Sequence, residues 1–137
     1  MKLLIGALLL AVTACEPTDA EPRTADLKLG ERAFQKCYSC HALEPGRNDL
    51  SGPTLYRIAG RRIAAEPGFE YSPAMKRFAE REQGWGTGLL DKFVADPEGL
   101  VPGTSMIFHG ISDPKEREAL IAYLQQGQTR PSAASLP

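Results

Sequence analysis

The sequence predicts one all-α domain of about five helices joined by long loops. Apolar side chains recur at helical spacing in the first and last segments, and two segments begin with a capping residue followed by proline. No segment shows the polar and apolar alternation of a half-buried strand. The chain of 137 residues suits one compact domain with tails. We expect helices near 26–38, 53–58, 73–80, 87–95 and 113–126.

The first and last predicted helices carry the clearest signals. Asp26 can cap the first helix, and Ser112 and Pro114 start the last one. One apolar stripe of the last helix is formed by Leu120, Tyr123 and Leu124. Because Gly30 lacks a side chain, it would let the first and last helices cross closely.

Composition limits the possible functions of the chain. It has 16 basic and 17 acidic residues, a net charge of −1, and no concentrated basic face. Binding to nucleic acid needs such a face, so this class of partner is excluded. The 11 prolines and 13 glycines indicate a loop-rich fold that something besides regular structure holds together.

Residues 1–14 are interpreted as a bacterial lipoprotein signal peptide. Lys2 precedes an apolar run of about ten residues, which is too short to span a bilayer. Val12-Thr13-Ala14-Cys15 resembles a lipobox, in which the cysteine is acylated and becomes the new N-terminus. The alternative is an ordinary signal peptidase cut after Ala14 that leaves Cys15 without a role.

Polar segments flank the predicted domain. Residues 15–25 contain prolines and no apolar period, and we interpret them as a lipidated flexible tether. Such a tether would reach roughly 30 Å when extended. Residues 128–137 are expected to be a disordered tail, which leaves 26–127 as the folded domain.

Cys37-Tyr38-Ser39-Cys40-His41 is the segment that carries chemistry. Two thiols three positions apart can each add to a haem vinyl group, and the adjacent histidine can then ligate the iron, so the pattern indicates a covalently attached haem c. A thioredoxin-like redox pair would need a preceding strand. A zinc site would need a fourth ligand, and the only other histidine, His109, lies far along the chain without paired spacing.

Two methionines can supply the second ligand of the iron. Met106 lies in a turn-rich loop that begins near Pro102, and Met75 lies in a short helix that Ser72 and Pro73 start. Either can instead fill space in the core. The residues alone leave this choice open.

The chain from residue 26 to 127 resembles a class I cytochrome c of the small mitochondrial and bacterial type. The matching pieces follow the family's order and cover nearly the whole domain: Gly30 and Phe34, the Cys37 to His41 motif, Gly52-Pro53-Thr54-Leu55, Gly60-Arg61, Pro67-Gly68-Phe69-Glu70-Tyr71-Ser72, Trp85, Pro102 to Phe108, Gly110-Ile111 and Glu116 to Leu124.

This resemblance implies a class I cytochrome c fold wrapped around one covalent haem, with crossing terminal helices. It implies that Met106 is the distal ligand and that the Pro53 carbonyl orients the His41 ring. His/Met ligation raises the reduction potential and closes both axial positions, so the family's role is electron transfer and not enzymatic catalysis. The groups implied near the haem propionates are Arg61, Tyr71 and Trp85.

We therefore expect a membrane-tethered single-electron carrier of a respiratory or photosynthetic chain, on the periplasmic side of a bacterial membrane. Its expected partners are a redox donor (a quinol-oxidising complex or a dehydrogenase) and an acceptor such as a terminal oxidase, and the expected state is a monomer. One alternative is a fixed haem subunit of a larger oxidoreductase complex. Another is a haem enzyme or gas sensor, which would need an open sixth position.

Overall fold

The computed structural model describes residues 24–126. Its helices are α1 (Thr24–Phe34), α2 (Pro73–Arg81), α3 (Thr87–Ala95), α4 (Pro97–Leu100) and α5 (Pro114–Gln126). Between residues 24 and 126 there is no β-strand, and the extended pairing amounts to one isolated bridge between Arg62 and Gly84. The all-α prediction is confirmed.

The predicted signal peptide, Cys15, most of the tether and the tail of residues 128–137 lie outside the described residues. Helix α1 begins at Thr24, two residues before the expected start and inside the segment assigned to the tether. Within the described range, no helix combines the length and apolar character that crossing a membrane requires.

Helices α1 and α5 form the largest helix–helix contact of the described residues. Gly30 is buried where they cross, and a Cβ atom at this position would lie 2.1 Å from the Ala119 carbonyl oxygen and 2.7 Å from Tyr123 Cβ. The rings of Phe34 and Tyr123 pack beside the crossing with centroids 5.9 Å apart. The two backbones approach this closely only because residue 30 has no side chain.

The loops contribute much of the core. Trp85 is 6 % exposed and stacks in tilted geometry on Phe78 of α2 and Phe93 of α3, with ring centroids 6.2 and 5.0 Å away. Other buried core side chains outside the helices are Ile58, Ile63, Val101 and Ile111. The long loops are therefore anchored by apolar burial.

Local capping explains the short helices. Ser72 Oγ accepts a hydrogen bond from the Met75 amide at 3.2 Å and starts α2. Asp96 accepts one from the Gly99 amide at 2.9 Å and starts α4, which was not predicted because one turn carries no apolar period. The predicted helices near 73–80, 87–95 and 113–126 lie within one residue of α2, α3 and α5.

The helix predicted near 53–58 is wrong, and residues 53–58 form an irregular segment with one turn. The Thr54 hydroxyl donates to the carbonyls of Glu44 at 2.7 Å and Ala42 at 3.3 Å, which ties the segment to the loop before it. Arg57 has a φ of 52°, in the left-handed region that a right-handed helix excludes.

The first helix also ends earlier than predicted. Helix α1 stops at Phe34, and the chain continues to residue 40 in hydrogen-bonded turns. The amides of Gln35 and Lys36 donate to the carbonyls three residues before them, each at 3.1 Å, so the helix tightens as it approaches the cysteine motif.

The crossing of α1 and α5 predicts the effect of Gly30→Ala. The new Cβ must displace backbone atoms of α5, so we expect a loss of about 3 kcal/mol in the free energy of unfolding of the purified protein in urea. Gly88→Ala is the control, because a Cβ at position 88 of α3 meets no atom within 4 Å. A Gly30→Ala protein as stable as Gly88→Ala would contradict the close crossing.

Candidate functional site

The cysteine motif forms a tight turn directly after α1. The amides of Cys40 and His41 both donate to the Cys37 carbonyl, at 3.0 and 2.9 Å. Neither cysteine of the motif forms a disulfide; Cys37 is half-buried against the core and Cys40 is exposed. The turn thus presents two thiols and an imidazole from one short segment.

The two thiols differ in acidity. Burial raises the pKa of Cys37 to about 11, so this thiol stays protonated at neutral pH. Hydrogen bonds from Ser51 and then Ser39 lower the pKa of the exposed Cys40. A thioredoxin-like pair would follow a strand, and the part of the chain from residue 24 to Cys37 contains none. This alternative does not fit the fold.

The His41 ring is held in one orientation. Its Nδ1 lies 2.8 Å from the Pro53 carbonyl oxygen, and because a carbonyl can only accept, Nδ1 must donate. The neutral ring then keeps its lone pair on Nε2, the nitrogen available to a metal. Burial is the largest cause of a lowered pKa of His41; the hydrogen bond to Pro53 opposes it and the charge of Arg61 adds to it, so the neutral form that ligation requires is favoured.

Gly52 forms the wall against which the imidazole rests. Its amide donates to the Cys40 carbonyl at 2.8 Å, and the Leu55 amide donates to the Ala42 carbonyl at 2.8 Å, so the two segments run side by side. A Cβ at position 52 would lie 2.3 Å from His41 Cε1. Residue 52 must therefore be glycine for the ring to keep its place.

The two methionines lie in different settings. Met75 is 8 % exposed in the core-facing side of α2. Met106 is half-buried in the loop between α4 and α5, where its amide donates to Thr104 Oγ1 at 3.3 Å. The Thr104 amide in turn donates to the Val101 carbonyl at 3.0 Å, so the loop is held by its own hydrogen bonds.

Arg61 is bound to the protein at three points. Its guanidinium donates to the carbonyl oxygens of Tyr56 and Thr54 at 3.0 and 2.8 Å, and it forms an ion pair with Glu66 at 2.8 Å. The Tyr71 hydroxyl accepts from the Glu66 amide at 3.3 Å, which leaves its own hydrogen to donate elsewhere. Burial, the largest cause, raises the pKa of Tyr71, so the phenol stays protonated.

These residues fit a haem c. The donor set comprises two thiols on one turn, a neutral imidazole with Nε2 available, and a thioether on a separate loop. Across residues 24–126, no three His, Cys, Asp or Glu side chains are grouped so that they could hold a metal ion. The zinc alternative therefore lacks its ligand set, whereas haem needs one nitrogen and one sulfur from the protein.

Known proteins similar to this chain define a class of electron-transfer proteins. Cytochrome c of Chlamydomonas reinhardtii is 40% identical over 110 residues, which cover 80% of this chain and 96% of that protein. Cytochrome c2 of Blastochloris viridis is 34% identical over 91% of this chain and 92% of that protein. The solved structure of cytochrome cH from Methylobacterium extorquens superposes with a TM-score of 0.66 at 38% identity, covering 74% of this chain and 98% of that one.

No protein-family model matches the chain. The identity and coverage of these relatives are nevertheless sufficient, and the chain belongs to the class I cytochrome c family. Membership assigns haem c as the cofactor and electron transfer as the function, and it shows that the protein is not an enzyme.

Glu66 and Asn48 lie near the site, but no motif or spacing in the sequence marks them. Glu66 contacts Arg61 and Asn48, and Asn48 also accepts from the Thr54 amide at 2.9 Å. These two residues and their partners Arg61 and Thr54 all lie in irregular segments. Such segments have no helix or strand period from which side-chain contacts could be predicted. A charged residue five positions after an arginine, in a loop, is an ordinary feature of a solvated surface.

The contact between Gly52 and His41 predicts the effect of Gly52→Ala. The added methyl group must move the imidazole from its place below the Pro53 carbonyl, so we expect purified Gly52→Ala protein to contain a high-spin fraction in its absorption spectrum. Gly86→Ala, where a Cβ meets no atom within 4 Å, should keep the wild-type spectrum. Identical spectra for both variants would contradict the assignment of His41 as the oriented ligand.

Proposed function

We propose that the chain is a single-electron carrier whose haem is attached through Cys37 and Cys40 and ligated by His41 and Met106. The observation that carries this proposal is the His41 to Pro53 hydrogen bond of 2.8 Å, which leaves Nε2 free in a neutral ring. Packing alone would not explain why two thiols lie on the same turn as this histidine, whereas haem attachment and ligation would explain both.

The bound haem would supply a one-electron redox centre. His41, as a neutral imidazole, and Met106, as a soft thioether, would be the two protein ligands of the iron, and a thioether ligand favours ferrous iron and raises the reduction potential. Cys37 and Met106 both pack against the buried apolar core that side chains of α2, α3 and the loops form. If both residues bind the iron, no coordination position would remain for a substrate.

Donors beside the site support a place for the haem propionates. Arg61, Tyr71 and Trp85 are the residues that the resemblance carries over for this role. Arg61 is largely buried and charged, and Tyr71 keeps a hydroxyl hydrogen to donate. Buried carboxylates need such partners because their desolvation costs several kcal/mol.

A redox protein is the proposed partner on each side of the electron transfer. Ile107 follows Met106 and is 97 % exposed, and Tyr38 in the cysteine motif is 59 % exposed. Apolar side chains left in solvent next to the redox centre suit the small, short-lived interfaces of electron-transfer complexes. The proposed donor is a quinol-oxidising complex or a dehydrogenase, and the proposed acceptor is a terminal oxidase or a similar complex of a respiratory or photosynthetic chain.

We further propose that the protein acts as a monomer tethered to the periplasmic side of a bacterial membrane by acyl chains on Cys15. The lipobox-like Val12 to Cys15 supports this, together with the polar residues that follow it. Two or more acyl chains at one residue hold a protein to a bilayer durably.

Met106→Leu tests the second ligand. Leucine keeps the bulk of the side chain but removes the sulfur, so the near-infrared methionine–iron band of the oxidised protein should disappear. The ratio of reduced to oxidised protein at a fixed potential should fall at least tenfold, because a tenfold change corresponds to a decrease of about 59 mV in the reduction potential of a one-electron couple. Met75→Leu is the matched control and should retain the band; loss of the band in Met75→Leu instead of Met106→Leu would reverse the assignment.

Intact mass spectrometry of the membrane fraction tests lipidation. The expected mature mass begins at residue 15 and carries the added glyceride and acyl groups, and Cys15→Ser should release unacylated protein from the membrane. A mature protein that begins at Cys15 with a free thiol would contradict the tether while leaving the electron carrier intact.

A further inference from the structure

Four residues form a closed ring of hydrogen bonds beside the His41 ligand. Glu66 Oε2 accepts from Arg61 at 2.8 Å, and a second guanidinium nitrogen of Arg61 donates to the Thr54 carbonyl at 2.8 Å. The Thr54 amide donates to Asn48 Oδ1 at 2.9 Å, and Asn48 Nδ2 closes the ring by donating to Glu66 Oε1 at 3.2 Å. The Glu66 carboxylate thus accepts hydrogen bonds from both side chains that donate within the ring, Arg61 and Asn48.

The ring holds the backbone that orients the iron ligand. The Thr54 amide is hydrogen-bonded to Asn48 and the Thr54 carbonyl to Arg61. The carbonyl of the preceding residue, Pro53, accepts a hydrogen bond from His41. His41 and Arg61 therefore bind consecutive carbonyls of one peptide segment. A shift of Thr54 would move the Pro53 carbonyl and turn the imidazole.

The ring also contains an ion pair that is shielded from solvent. The side chains of Arg61 and Glu66 are only 16 % and 10 % exposed. The guanidinium of Arg61 is held one peptide unit from the carbonyl that His41 binds, so its charge lies close to the proposed ligand. A buried charge acts through a lower effective dielectric than an exposed one, so the carboxylate that neutralises Arg61 matters for the nearby redox centre.

We infer that Glu66 is a positioning residue for electron transfer: it closes the ring that orients His41, and its charge opposes that of Arg61 and so lowers the reduction potential. The inference rests on the proposed haem ligation by His41. A negative charge near the iron stabilises the ferric state, and removing it favours the ferrous state.

Glu66→Gln in the haem-loaded protein tests the charge. The ratio of reduced to oxidised protein at a fixed potential should rise about three- to tenfold, where tenfold corresponds to about 59 mV for one electron. Glu70→Gln makes the same change of charge four residues later, at a side chain that is 89% exposed and paired with Lys76. This control should leave the ratio within about twofold of wild type because solvent screens the exposed charge.

Arg61→Gln separates the electrostatic effect from structural damage. It breaks the same ion pair but removes the positive charge, so the ratio of reduced to oxidised protein should fall. Shifts in the same direction for Glu66→Gln and Arg61→Gln would overturn the electrostatic part of the inference. If Glu66→Gln yields no haem-loaded protein, the Arg61→Gln variant is sufficient by itself: a reduced to oxidised ratio that rises or stays unchanged would overturn the electrostatic part of the inference.

Asn48→Ala tests the ring without changing any charge. We expect a lower urea midpoint and a broadened or partly high-spin spectrum, with the reduced to oxidised ratio within about twofold of wild type. A wild-type spectrum and midpoint would show that the ring does not orient the ligand. If the purified wild-type protein contains no haem, the proposed function itself is contradicted. If the wild-type spectrum is low-spin but Glu66→Gln leaves the reduced to oxidised ratio unchanged, only this inference is contradicted.

Discussion

The close crossing of α1 and α5 at Gly30 is the constraint on which the rest of the structure depends. Because α5 rests against the backbone of α1, the direction in which α1 ends is determined, and the turn from Cys37 to His41 begins where α1 stops. The turn from Cys37 to His41 is therefore positioned by two helices that supply none of the residues we propose as haem ligands.

The loops between the helices are held by two kinds of interaction. Apolar side chains such as Ile58 and Trp85 are buried, and polar side chains bind backbone groups that no helix or sheet satisfies. Loops this long are uncommon in a bare domain, but a bound cofactor gives them a common surface to cover. The ring through Glu66 belongs to this second kind of interaction and lies beside His41, which we propose as an iron ligand.

The sequence predicted the parts of the fold that local chemistry determines. Ser72 with Pro73 marked the start of α2, and the apolar stripe of α5 marked its buried side. The segment 53–58 could not be predicted correctly, because the hydroxyl of Thr54 is bound to carbonyls ten and twelve residues earlier and overrides the local preference. The spacing of Cys37, Cys40 and His41 was sufficient to propose a haem-attachment motif, whereas the role proposed for Glu66 depends on contacts that exist only after the loops have packed.

The central claim is that the protein fills both axial positions of its haem and so moves electrons and nothing else. The most direct measurement is the absorption spectrum of the reduced, haem-loaded protein before and after carbon monoxide is added. We predict a low-spin c-type spectrum that carbon monoxide leaves unchanged. A high-spin spectrum, or one that changes to that of a carbon monoxide adduct, would contradict the claim.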